Sequence, residues 1–207
     1  MVADDILVKM AQSGDQTAYG ELVRRYQDLI FSLTGRMLSS PEDARDASQE
    51  TFIKVYKALP GFDFRASFTT WLYKVATNVC LDLLRKQSRE QQRRLSLGEV
   101  NIQEGSFKDN RPGPEDLLLE RERIQELKQA VQALPEGYRL ALILHHYQGL
   151  SYQQIARILE LPEKTVATRI HRAKKKLKDG LRGGEGDAVL ESKDQAKPVP
   201  GWRMSVF

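Results

Sequence analysis

Between Gly149 and Lys178 the chain has little freedom in what it can fold into. Ser151-Tyr152-Gln153-Gln154 sets a hydroxyl three residues ahead of an amide, the pattern of a reciprocal helix start. Leu161-Pro162-Glu163 follows, and a proline suits the first position of a second helix because its missing N–H leaves no bond unmade there. Ile155, Ala156, Ile158 and Leu159 give the first helix an apolar face. Val166, Ile170, Ala173 and Leu177 recur at i, i+4, i+7 and i+11 on the second. Two short helices sharing one seam across a tight turn make a helix-turn-helix, and the small Ala156 permits the close crossing it needs. Glu160 stands at the turn position where glycine is common, so the sequence predicts strained backbone or an altered turn there.

The outer face of the second helix carries Lys164, Thr165, Thr168, Arg169, His171, Arg172 and Lys176, and from Glu163 to Lys178 seven Lys/Arg residues face one acid. A helix with such a stripe can lie in the major groove, where arginine reads guanine with two hydrogen bonds, threonine meets a thymine methyl and lysines hold phosphates. Lys174 to Lys178 alone would equally suit a solvated helix end favoured by the macrodipole. The complete unit points to duplex DNA. A helix-turn-helix by itself fits a free-standing regulator with a helical dimerisation domain, so the remainder of the chain has to decide the class. A nucleic-acid enzyme would need clustered carboxylates or a nucleophile with Arg/His partners, and no such set is recognisable.

The 207 residues, 41% hydrophobic and 29% charged with a net charge of +4, suit two small domains better than one large core. From about Asp4 to Lys86 the pattern is helical, with Gly14, Gly35, Pro41, Pro60 and Gly61 as punctuation. Ser88 to Pro114 reads as an extended linker. Periodicity returns at Glu115 and runs to about Lys178, with Ile124, Leu127, Val131 and Leu134 in step. The expected divisions are 1–88, a linker 89–114, 115–180 and a flexible tail 181–207 with Trp202 and Phe207 near its tip. The fold class is all-α. Cys80 is the only cysteine and reads as a small core residue, which suits a reducing cytoplasm. Met1 to Met10 has no basic start or apolar run, and no stretch is long enough to span a membrane. No Gly-rich phosphate loop or metal-ligand cluster is visible, so no cofactor is expected. The adjacent His145 and His146 lie about 100° apart on a helix without a third ligand nearby, and read as structural or surface residues.

Three features of the first ninety residues are unusual together. Ser40-Pro41-Glu42-Asp43 is a helix start with an N-cap and an N1 proline. Asp43, Asp46, Gln49 and Glu50 then fall on one face, opposite Phe52, Val55, Tyr56 and Leu59. Composition alone makes this an ordinary solvated face, since the helix dipole already accounts for Glu42 and Asp43. Phe62, Phe64, Phe68, Trp71 and Tyr73 then crowd into a dozen residues with Arg65 and Lys74 among them. The next turns carry Asn78 and Asp82 and lead to Arg85, Lys86, Arg89, Arg93 and Arg94. Bases stack on aromatic rings and phosphates need cations, so this combination suits unpaired DNA.

The strings Asp43-Ala44-Arg45-Asp46-Ala47-Ser48-Gln49-Glu50-Thr51-Phe52, Phe68-Thr69-Thr70-Trp71-Leu72-Tyr73-Lys74-Val75-Ala76-Thr77-Asn78 and Leu134-Pro135-Glu136-Gly137-Tyr138-Arg139, in this order, resemble regions 2 and 4 of the extracytoplasmic-function (group IV) sigma factors of the sigma-70 family. The resemblance covers most of residues 10 to 178. It implies a non-enzymatic subunit of RNA polymerase with a region 2 bundle and a region 4 helix-turn-helix. Its partners would be core RNA polymerase, promoter DNA and an anti-sigma factor. Position by position, it makes Asp43, Asp46, Gln49 and Glu50 polymerase contacts, reversing the solvated-face reading. It assigns Phe64, Arg65, Ala66, Ser67, Phe68 and Asn78 to capture of a flipped minus-10 base, with Asp82 and Arg85 farther along the same helix. Lys164, Thr165, Thr168, Arg169, His171, Arg172 and Lys176 become the minus-35 readers. Ala167 and His171 replace an arginine and an aromatic residue of several members, so promoter sequence does not transfer from a relative. The linker matches the segment that threads toward the polymerase active site.

Overall fold

The computed structural model describes residues 2–96 and 115–181, with backbone alone at 115–123. Among these residues there are eight α-helices and no strand. Helix α1 is Asp4–Gln12, α2 Gln16–Met37 and α3 Pro41–Ala58, and α4 is Phe68–Ser96. The second half holds α5 (Glu115–Gln132), α6 (Glu136–Leu142), a single π-helical turn at Ile143–Tyr147, α7 (Tyr152–Leu159) and α8 (Glu163–Gly180). No described helix is long and apolar enough to cross a membrane.

The helix starts obey the sequence. Asp15 caps α2 by accepting from the Thr17 and Ala18 N–H groups at 2.8 and 3.1 Å. Ser40 accepts the Asp43 N–H at 3.2 Å, with Pro41 at the first turn of α3. Both limbs of the Ser151–Gln154 capping box form, at 3.2 and 2.9 Å. Pro162 caps α8 rather than entering it, a one-residue difference in where the helix begins.

Two boundaries differ from the sequence reading. Gly35 does not end a helix, because α2 runs through it to Met37. An isolated helical glycine costs only about 1 kcal/mol, and the flanking Leu33, Thr34 and Met37 are fully buried on either side of it. Helix α4 likewise extends beyond the expected linker start at Ser88 to Ser96. The residues that looked like linker for want of aliphatic period, Arg89-Glu90-Gln91-Gln92-Arg93-Arg94, are all strong helix formers. The rest of the expected linker, 97–114, and the tail from 182 onward lie outside the described residues.

The first four helices pack around Leu22, Ile30, Leu33, Met37, Val55, Leu72, Ala76 and Cys80, all 1% exposed or less. Burial pushes the Cys80 thiol up to about 12, so it serves as the inert core residue the sequence suggested. The expected seam of the helix-turn-helix is present, with Ile155, Val166, Ile170, Ala173 and Leu177 all buried. A separate small cluster joins Val131, Leu134, Leu142, Ala173 and Leu177. The larger core, however, is continuous from α1–α4 into Leu140, Ile143, Leu144, Ile155 and Ile170. The two modules are therefore docked.

His145 and His146 are structural, as read. The His145 Nδ1 lies 3.0 Å from the Leu150 carbonyl oxygen, and its ring packs on Tyr152. His146 is half-buried, and burial, followed by the nearby cations Lys174, His145 and Arg36, holds its pKa below the usual 6.5. The unfolded chain therefore takes up this proton first. The neutral ring contributes its full stability above about pH 6.5 and loses it as pH falls through the lower folded-state value. Thermal unfolding midpoints should fall more steeply from pH 7 to pH 5 for the wild type than for His146→Gln. Equal slopes would show that His146 is not the group responsible.

Candidate nucleic-acid interface

Helix α3 presents Asp46, Gln49 and Glu50 to solvent, while Asp43 is half-buried and accepts from Gln87 Nε2 of α4 at 2.8 Å. Asp43 thus braces α3 against α4, and the open acidic surface is the other three. Glu50 pairs with Lys54 at 3.7 Å, both groups being about half exposed. The inner face of α3 departs from expectation. Val55 and Leu59 are buried, but Phe52 is only half so and Tyr56 is 48% exposed. Ala44, Ala47, Ser48 and Thr51 fill the interior, with Thr51 Oγ1 donating to the Ala47 carbonyl at 2.7 Å. Small residues at i, i+3, i+4 and i+7 let α3 approach closely, a periodicity easily missed beside larger aromatics. Tyr56 meets the Tyr19 ring edge-on instead, and Ile53, 47% exposed, lies one turn beyond Glu50 on the acidic face.

The aromatic loop is held from below. Gln12 Nε2, at the end of α1, donates to the Leu59 and Phe62 carbonyls at 2.9 and 2.8 Å. Phe62, Phe68 and Trp71 form a packed cluster with ring centroids 4.9 to 6.2 Å apart, and Tyr26 joins it against Phe68. Phe68 is 2% exposed, so it supports the loop and does not present a face to a base. Ser67 also works locally, accepting the Thr70 N–H at the start of α4. Phe64 is different. It is 36% exposed, its φ is +60°, and its ring rests on Phe62 with the Lys9 ammonium 5.6 Å from the centroid. Left-handed backbone costs a bulky residue about 1–2 kcal/mol, a strain of the kind that accumulates at binding sites. Arg65 is exposed beside it and pairs with Asp63 at 2.8 Å. Half-buried Trp71 begins a stripe on α4 that continues through exposed Asn78, Asp82 and Arg85 at helical spacing. Asp82 and Arg85 are within 3.3 Å of each other.

On α8, Lys164, Thr168, His171, Arg172 and Lys176 are exposed and Thr165 and Arg169 half-buried. The Thr168 hydroxyl donates to the Lys164 carbonyl at 2.8 Å. Arg169 does not project freely. Its guanidinium crosses Gly137 so closely that a Cβ there would sit 3.0 Å from Nη1. Arg172 Nη1 reaches the Tyr138 hydroxyl at 3.4 Å, and this arginine, followed by Lys176 and Arg169, draws the phenol pKa down. The predicted strain at Glu160 is also present, since it closes α7 in the left-handed region at φ 53°, ψ 45°. The left-handed residue glycine usually supplies is here a glutamate, whose carboxylate pairs with Lys74 of α4 at 2.5 Å.

An all-α chain with an acidic helix face, an aromatic loop heading a polar and basic helix, and a basic helix-turn-helix has the layout of a sigma-type initiation subunit. Residues 22–90 match the Sigma-70 region 2 family and residues 124–177 the Sigma-70 region 4 family. Over 183 residues the chain is 33% identical to the ECF RNA polymerase sigma factor SigW of Bacillus subtilis (strain 168), covering 84% of this chain and 95% of the relative. It is 38% identical over 175 residues to the ECF RNA polymerase sigma-E factor of Escherichia coli (strain K12), covering 84% and 91%. The sigma factor RpoE, solved with the anti-sigma factor NepR from Bartonella quintana, shares the fold at a TM-score of 0.63 and 24% identity, over 79% of this chain and 96% of that one. The chain belongs to the ECF RNA polymerase sigma factors. It is a non-catalytic subunit that binds core RNA polymerase and directs promoter-specific initiation.

Proposed function

We propose that this sigma factor divides promoter recognition between its two modules, acting in the cytoplasm and docking on polymerase through Asp46, Gln49 and Glu50. The exposed Phe64, held in strained backbone above a buried aromatic cluster, carries the reading of region 2: it stacks an unpaired minus-10 base while Asn78 and the cations along α4 hold the strand. Helix α8 reads the minus-35 element as duplex. Lys164, Thr168, His171 and Arg172 face the groove, Lys176 contacts phosphate, and Arg169 braces the helix against Gly137. Trapping one or two unstacked bases offsets a melting cost of a few kcal/mol per base, so opening needs no fuel molecule. An anti-sigma factor, as accompanies the RpoE of Bartonella quintana, would regulate it. The direct test is run-off transcription with core polymerase, followed by sequencing of the bound promoters. A duplex bound by a dimer of this chain without polymerase would overturn the reading. Arg172→Ala should lose about 1–3 kcal/mol of binding at a single minus-35 base pair. An equal loss on every promoter would make Arg172 a phosphate contact instead.

A further inference from the structure

The first turn of α6 meets two arginines of α8 and treats them differently. Arg169 and Arg172 are three positions apart and so neighbours on one face of that helix. The half-buried Arg169 lies back over Gly137, its Nη1 only 3.0 Å from where a Cβ would stand. Arg172 is exposed, and its Nη1 donates to the Tyr138 hydroxyl at 3.4 Å. Among the described residues no carboxylate pairs with Arg172, so the phenol oxygen is what orients its guanidinium. Tyr138 is itself fixed from below. It is half-buried, with its ring packed on the small cluster of Val131, Leu134, Leu142, Ala173 and Leu177. Its backbone N–H closes the first turn of α6 on the Pro135 carbonyl at 2.8 Å. Ala173 and Leu177 belong to α8, so the ring is tied to the same helix whose arginine it meets.

Arginine is among the side chains that lose most rotamer freedom on being fixed, so one already held near its working orientation has less of that loss still to come when it binds. A carboxylate would hold Arg172 more tightly, but it would also neutralise the charge and compete with DNA for the guanidinium. A neutral phenol does neither. Its oxygen accepts one N–H, and the remaining guanidinium donors suffice for a bidentate pair with guanine O6 and N7. Tyrosine is also a stiff holder, because its ring and hydroxyl move on few torsions. We propose that Tyr138 is a positioning residue for minus-35 recognition, a role that rests on the proposed reading of α8: its hydroxyl aims Arg172 at the major groove and so sets the strength of the one base-pair preference that Arg172 carries. Gly137 beside it gives Arg169 room to lie back against α6. Of the two neighbouring guanidinium groups, Arg172 is therefore the one presented.

The test uses holoenzyme assembled from the full chain and core RNA polymerase, selected on a promoter library with a randomised minus-35 element, with sequencing of the bound DNA. Arg172→Ala should erase the preference at one base pair. Tyr138→Phe keeps the ring on its cluster and removes only the hydroxyl, so it should weaken the preference at that same pair about three- to tenfold, the range of one net hydrogen bond. The other positions and the melting temperature should not move. In the Arg172→Ala background the same change should do nothing further, because the hydroxyl then has no guanidinium to aim. Undiminished preference in Tyr138→Phe, a loss spread evenly over the minus-35 positions, or the same loss with and without Arg172 would overturn the proposal and leave Tyr138 a packing residue. If Arg172→Ala itself left every preference intact, the minus-35 reading of Arg172 would fall and the positioning role with it. The two single variants therefore tell the two failures apart.

Discussion

Replacing Asp46 and Glu50 together with lysine should abolish the complex with core RNA polymerase while leaving the helical fold and its melting temperature nearly unchanged. Both side chains are exposed and neither contributes to the interior of α3, which is built from Ala44, Ala47, Ser48, Thr51 and Val55. Glu50 pairs with Lys54, a surface pair at 3.7 Å whose loss costs at most about 1 kcal/mol. Reversal at the interface is far more costly, because a like-charge encounter at a complementary surface costs several kcal/mol. Two reversals should therefore weaken core binding at least about a hundredfold, measured by native gel or by fluorescence anisotropy of the labelled sigma factor. Asp43→Asn gives the contrast. That carboxylate is turned toward Gln87, so its loss should lower stability slightly and core affinity little. Unchanged pull-down of polymerase by the double reversal would remove α3 from the docking surface.

Much of the fold was legible because its signals are local. Capping residues, the proline at the head of α3 and the four-residue rhythm of α8 each depend on atoms within one or two turns, and all appear where the sequence places them. What was hidden depends on distant partners. Nothing local distinguishes Arg139 from a solvated arginine, yet it is buried against the end of a helix about a hundred residues earlier. Gly137 and Arg169 likewise look unrelated until α6 and α8 are brought together. Phe64 and Phe68 illustrate the limit within one motif. Spacing groups them as equals, but packing buries Phe68 and leaves Phe64 exposed with a positive φ. Only Phe64 is placed to meet a base directly.

On the proposed reading that difference makes Phe64 the decisive residue for promoter opening, and substitutions there can separate binding from folding. Phe64→Ala removes an exposed ring whose stacking on an unpaired base should be worth about 1–3 kcal/mol, so open-complex formation should fall about 5- to 150-fold. Alanine keeps the disfavoured left-handed backbone, so a loss in stability could be blamed for the defect. Phe64→Gly resolves this, because glycine adopts φ near +60° without the Cβ penalty. The glycine variant should therefore melt no lower than the alanine variant while opening promoters equally poorly. Phe68→Leu should behave in the opposite sense. It disturbs the buried cluster with Tyr26, Phe62 and Trp71, lowering stability without preferentially affecting opening. Permanganate footprinting of the minus-10 region, compared with core-binding affinity measured in parallel, reads the two effects separately. The defect of Phe64→Gly should also disappear on a template whose minus-10 bases are already mismatched, if the ring's task is to pay for unstacking; persistence of the full defect there would mean that Phe64 holds the strand after opening and does not drive it.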